Sequence, residues 1–362
     1  MKLEDPGGQL LILRLDDNRW SGSRERVLRA AQPSGVLLSA PLPHSAELTS
    51  ELLHNIAGTL SHQPFLAVAE EGGPQDPLRR FLPGVPSPQA AARMGLSAVT
   101  RLGELIGVAL SLLGFNTNFA PLLDLATPST EESLGVRTFS SDPRQVAQCG
   151  AAFLTGLRRH KILACGKHFP GLGSLPNSEG RRASENPAVV DKPMAALWHE
   201  DLLPYRELLP SLPMVLVSPA AYKAYDFDQP RAAALSPRAM EGLLRIKLGY
   251  RGLALAYELE SKEVRGTLNF GEAAIQALNA GCDLLVVEQE SSFEAARRAL
   301  EAGLESGKLS TQRVEEALER VRTAKKGLKP PTGAISRRAL EELTGRFEIF
   351  AKEYRHEEWK IA

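Results

Sequence analysis

The residues of this 362-residue chain that could do chemistry gather at the ends of short apolar runs. "FLAVAE" ends in Glu70 and is followed by Glu71, "TNFAPLLDL" carries Asp124, and "ILACGKHF" carries Lys167 and His168. "MVLVSP" holds Ser218, "GLALAYEL" holds Tyr257 and Glu258, and "CDLLVV" is followed by Glu288. Such a set suits acid–base chemistry, because a carboxyl group with a raised pKa donates a proton near neutral pH. A tyrosine can attack covalently where a base takes its proton, and Glu71 and Lys167 are the sequence candidates for that base at Tyr257. Glu179, in "GSLPNSEGRRA", is the nearest candidate acid, although Arg181 and Arg182 beside it equally suit a solvated loop glutamate. The Asp, Glu and His residues have no metal-ligand spacing on one helix or turn, so no metal or organic cofactor is implied.

These residues must be carried by something rigid. Short apolar runs alternate with amphipathic ones, the pattern of βαβ units and a parallel sheet. Strands are expected at 10–15, 35–40, 65–70, 117–125, 162–169, 214–219, 252–259 and 282–287, with helices such as 45–60 and 142–160 between them. Eight strands close a barrel, and no GxGxxG turn follows the first, so the expected class is α/β, a (β/α)₈ TIM-type barrel rather than a doubly wound open sheet. A helix is expected over 309–328, capped by Ser310 with Gly327 near its end, and "KPPTGA" then breaks the chain. The domain reading is a barrel over 1–328 and a C-terminal linker and helix over 329–362, the helix at roughly 336–358. In that appendage Leu340, Leu343, Phe347, Ile349, Phe350, Tyr354 and Trp359 fall partly at helical spacing, which suits packing on the barrel or on a second subunit.

Several phrases, in order, are similar to the single-domain bacterial β-N-acetylhexosaminidases of glycoside hydrolase family three, which act in cell-wall recycling. "EEGG" (70–73) resembles D-Q-E-G-G, "LGFNTNFAPLLDL" (113–125) resembles L-G-I-N-x-N-F-A-P-V-x-D-V, and "RTFSSDP" (137–143) resembles R-S-F-G-x-D-P. "KHFPGLG" (167–173) resembles K-H-F-P-G-H-G, and "ALSPRAMEGLLRIKLGYRGLAL" (234–255) and "ALNAGCDLLVV" (277–287) resemble the later phrases of the family. The likeness spans about residues 8–328. It implies a retaining mechanism, with an aspartate nucleophile at the end of strand seven and a histidine acid/base in a D-S-H triplet after K-H-F-P-G-H-G. It also implies that Glu71, Asp124, Arg137, Lys167 and His168 belong to the substrate-binding set, and that no cofactor is needed. Each of these has a structural reading beside the functional one, since a buried ion pair persists simply because breaking it strands a charge.

The chain departs from that pattern at the chemistry. Tyr257 falls at the nucleophile position and Ala256 at the serine before it. Glu258 is the alternative carboxylate, and strand alternation sends it away from Tyr257 toward the helix shell or loop. The D-S-H positions fall within 177–180, where no histidine occurs, and Ala69, Pro74 and Pro219 replace further sugar contacts. The expected function is therefore a family-three-like barrel, inactive or severely impaired, binding an N-acetylglucosamine-containing glycan, a muropeptide or a protein partner. The alternative is a retaining β-N-acetylglucosaminidase working through relocated carboxylates, Glu258 or Glu288 as nucleophile or Tyr257 itself, with Glu179 as the acid.

Lys and Arg total 43 and Asp and Glu total 43, so nothing in the net charge points to nucleic acid or an anionic membrane. No apolar run approaches the roughly 20 residues of a membrane span. The N-terminus, with acidic residues and a short apolar run, reads as a first strand rather than a signal peptide. Cys149, Cys165 and Cys282 are few, distant and odd in number, which suits a reducing compartment. A cytoplasmic location is the expectation.

Overall fold

The computed structural model describes residues 6–175, 187–331 and 333–361. Eight parallel strands close into a barrel: β1 (Leu11–Leu15), β2 (Gly35–Leu38), β3 (Phe65–Val68), β4 (Thr117–Asn118), β5 (Leu163–Phe169), β6 (Met214–Val217), β7 (Leu253–Ala256) and β8 (Leu284–Val287). Each pairs with its neighbour in sequence, and closure comes from β1 lying against β8 with Leu11 opposite Leu285 and Leu13 opposite Val287. A two-strand pair, Val189–Val190 with Ala221–Tyr222, lies outside the barrel.

All eight expected strands are present. The fourth is much shorter than 117–125, because Pro121 has no N–H to give to a ladder. Pairing continues irregularly past it, through Phe119 N to Val68 O at 2.8 Å and Leu123 N to Lys167 O at 2.6 Å. The expected helices appear at Ala46–Thr59, Pro143–Arg159 and Thr311–Lys325, the last with Ser310 Oγ accepting from Arg313 N.

Period-two alternation decides what fills the barrel. Ile12, Leu37, Ala67, Cys165, Leu216, Leu255 and Val286 form one interior cluster, while the intervening residues pack on the helical shell. Val321 joins that cluster from the helix Thr311–Lys325, and Lys325 Nζ lies 5.0 Å from the centre of the Phe65 ring at the N-terminal end. At that same end Asp283, fully buried, accepts from Arg313 and Arg320 at 2.9 Å each and from Arg245. Arg245 also donates to the carbonyls of Gly252 and Gly281, so the "RIKLGYRG" and "AGCD" phrases have a scaffold role.

The C-terminal helix Arg337–Ile361 packs on the shell helix Leu96–Leu113, burying Leu343, Phe347 and Phe350, with Arg101 over the Phe350 ring. Ile349, grouped with them by sequence, is 54% exposed because it falls off the i, i+4, i+7 stripe those three define. The expectation that no apolar run nears a membrane span needs correction at Leu96–Leu113. That helix has 18 residues of mean hydropathy 1.6, half of them buried inside the protein, and it carries Arg101 and Glu104.

Candidate active site

Alternation also sets the layer above the interior cluster. Two residues beyond the inward Ile12, Leu37, Cys165, Leu255 and Val286 lie Arg14, Ser39, Lys167, Tyr257 and Glu288. The C-terminal mouth of the barrel is thus lined by polar side chains on rigid strand ends, where (β/α)₈ barrels carry their sites. Ala69, two beyond Ala67, packs on the same interior cluster and brings no polar group.

One half of the mouth is organised by Glu71, which is 1% exposed. Arg137 grips it with Nε at 2.9 Å and Nη2 at 2.8 Å, and Lys167 Nζ lies 2.5 Å away. Burial pushes the Glu71 carboxyl up, but Lys167 and Arg137 outweigh it and hold the group down at about 2. Its two oxygens accept from these cations, and a carboxyl held that low is a poor base, so it is not poised to take a proton from Tyr257. It aims Lys167 and Arg137 instead. The loop behind it is shaped by Gly72 (φ +88°) and Gly73 (φ +60°), where a Cβ would meet Pro86 O at 2.6 Å and Ser87 Cβ at 2.6 Å. Glu70, fully buried, turns away from the mouth, accepting from Gly72 N at 2.8 Å and hydrogen-bonding Asp76.

Asp124 holds the "KHFPGL" turn. Its carboxylate accepts from His168 Nδ1 at 2.8 Å, from Leu172 N at 2.7 Å, and more weakly from His168 N. An acceptor there places the ring proton on Nδ1 and leaves Nε2 as the nitrogen not bound to Asp124. Asp124, Arg137, Lys167 and His168 therefore come together, Asp124 and Arg137 being close enough to feel each other's charge.

The other half centres on Arg14, a residue the sequence reading missed. Arg14 Nη1 donates to Tyr257 Oη at 3.0 Å and to Glu288 Oε1 at 2.8 Å, while Nε donates to Ser39 Oγ at 2.9 Å and Asp16 Oδ1 at 2.8 Å. Arg14 Nη1 thus holds Glu288 beside Tyr257, close enough for its charge to reach the hydroxyl, so Glu288, rather than Glu71 or Lys167, is the carboxylate facing it. Burial and then the Glu288 charge push the Tyr257 hydroxyl up to about 12, against the opposing pull of Arg14. Burial likewise raises Glu288. The signal for Arg14 was present: a lone charge in "LILRL", two residues past Ile12.

β7 ends at Ala256, so strand alternation does not govern Glu258. Glu258 takes a left-handed backbone (φ +60°) and lines a cavity of about 260 Å³ with Leu172, Pro219 and Val264, near enough to Tyr257 and Glu288 for its charge to push both up. The structure brings it to neither the Glu71 nor the Arg14 network through a hydrogen bond. Glu179 lies outside the described residues.

Set beside known proteins, this architecture has clear kin. The profile of the glycosyl hydrolase family 3 N-terminal domain matches residues 2–324, so the chain belongs to glycosyl hydrolase family 3. It is 31% identical over 285 residues to a β-hexosaminidase of Tolumonas auensis, covering 76% of this chain and 81% of that protein. It is also 31% identical over 334 residues to the β-hexosaminidase LpqI of Mycobacterium bovis, covering 89% and 82%. A family 3 β-N-acetylglucosaminidase from a Paenibacillus species superposes with a TM-score of 0.84 at 25% identity, over 96% of this chain and 68% of that one. The chain is thus a family 3 barrel of β-hexosaminidase type in its fold.

Proposed function

We propose that this chain binds an N-acetylglucosamine-containing glycan or muropeptide at the barrel mouth and hydrolyses it slowly or not at all, as a pseudoenzyme of its family. The glycan class is supported by the β-hexosaminidases and the β-N-acetylglucosaminidase it resembles. One observation carries the loss of hydrolysis: the end of β7 presents Tyr257, a phenol pushed up to about 12 and tied to Arg14, instead of an ionised carboxylate. A phenol that stays protonated at neutral pH is a weak nucleophile. The paired cations Lys167 and Arg137 remain aligned by Glu71 and can hold sugar oxygens whether or not the bond is cut. A cytoplasmic location belongs to the same proposal and is supported by Cys149, Cys165 and Cys282, which are buried and free.

The placement of Glu288 beside Tyr257, both held by Arg14, favours one second reading, a tyrosine nucleophile as in sialidases. There Glu288 takes the phenol proton as Oη bonds to the anomeric carbon, and an acid, Glu179 in the sequence reading, protonates the departing oxygen. The deciding experiment is hydrolysis of an aryl β-N-acetylglucosaminide at high enzyme concentration, for the wild type and for Tyr257→Phe, Glu288→Gln, Glu258→Gln and Glu179→Gln. The expected result is turnover near background that no variant changes, with N-acetylglucosamine still bound by calorimetry. Turnover abolished by any one of these substitutions overturns the pseudoenzyme reading and identifies the group responsible.

A further inference from the structure

Beside the mouth lies a second cavity, about 700 Å³, between the loops that follow β1 and β2 and the helix Ala46–Thr59. That size falls among small-molecule sites, which run from about 300 to 1,000 Å³. Its walls include Asp16, Trp20, Pro41, Leu48, Glu51 and Arg80. They are preformed: Asn18 Nδ2 donates to the carbonyls of Ser39 at 2.7 Å and Pro41 at 2.9 Å, joining the two loops. Arg24, buried, donates to the carbonyls of Asp17 and Arg19, and Trp20 packs by one side on the core.

The wall chemistry selects against a strongly ionic ligand. Asp16 is paired with Arg14, and the remaining wall charges, Asp17 and Glu51 against Arg19 and Arg80, are of both signs, so no single sign of charge dominates the cavity. What remains is a rigid aromatic and apolar surface beside carboxylates and a guanidinium. A neutral pyranose suits that surface, with its C–H face on the indole and its hydroxyls on the polar rim. Arg14 joins this cavity to the mouth, since one guanidinium bonds Asp16 in the cavity wall and Tyr257 and Glu288 in the mouth.

We propose that this cavity is an extended carbohydrate subsite, taking further sugar units of the glycan whose terminal residue sits at the mouth. The proposal rests on the glycan reading of the mouth and adds to it a requirement for chain length. The test is calorimetric titration of the full chain with N-acetylglucosamine and its β-1,4-linked dimer and trimer, for the wild type, Trp20→Ala and Arg80→Ala. Arg80 is exposed, so its removal leaves the core intact. In the wild type the trimer should bind about tenfold tighter than the monosaccharide or better. That gain should vanish in Trp20→Ala and shrink in Arg80→Ala, while the monosaccharide affinity stays unchanged. Monosaccharide binding without a gain for the longer sugars overturns the subsite alone, as does a gain that survives both substitutions. No binding of any of the three sugars overturns the glycan reading and the subsite with it.

Discussion

Replacing Glu71 by glutamine tests whether this carboxylate anchors the sugar-facing cations. A glutamate ordinarily near 4.5 that is held at about 2 in the folded protein stabilises the native state at neutral pH by roughly 3 kcal/mol. A second route gives the same size, because removing one partner of a buried ion pair strands the other charge at a cost of about 3–5 kcal/mol. Here the stranded charge is Lys167, whose side chain is 5% exposed. The sign follows from the direction of the shift. The folded pKa lies below the unfolded one, so the contribution is complete above about 4.5 and fades as pH falls toward 2. Urea unfolding of wild type and Glu71→Gln across pH 3 to 7 should therefore show a gap of about 3 kcal/mol at pH 7 that narrows below pH 4. A gap under about 1 kcal/mol at pH 7, or one that does not change with pH, would refute the reasoning.

Other groups give independent checks. Burial and then Asp76 raise the Glu70 carboxyl well above its ordinary range, so its ionisation costs the folded state stability as pH rises through that raised value. Glu70→Gln should gain on the wild type in thermal melts as pH goes from 4 to 8, and parallel profiles would exclude this. Burial lowers Lys325 to about 7, so the wild type should gain on Lys325→Met in stability as pH rises from 6 toward 10, and curves that do not converge would contradict the assignment. Phe347→Ala should cost about 3–5 kcal/mol by denaturant unfolding, since the ring is 1% exposed where the C-terminal helix meets the barrel. A loss under about 1 kcal/mol would mean that this helix adds little to the fold.

Strand ends were the least legible part of the sequence, and the reason is local. "TNFAPLLDL" reads as a nine-residue strand by apolarity, but Pro121 cannot donate, so regular pairing stops at Asn118. "GLALAYEL" reads as continuing through Glu258, but the chain leaves the sheet after Ala256 and turns left-handed at Glu258. Alternation predicts directions only while the pleat lasts. That limit bears on the site itself, because the candidate carboxylate and Tyr257 both stand just past it.

By itself the sequence determined the number of strands, their parallel order and four of the helices, because periodicity and caps are local properties of the chain. It also carried a signal for Arg14 and Lys167, polar residues inside strands two positions past an inward apolar one. Only the tertiary structure decided how those residues are engaged. Arg14 meets Glu288 across 274 residues because β8 closes the barrel against β1. Glu71 serves Lys167 and Arg137 because three segments converge beneath the mouth, where a buried carboxylate must find cations. Such pairings are set by closure in space, and no spacing along the chain encodes them.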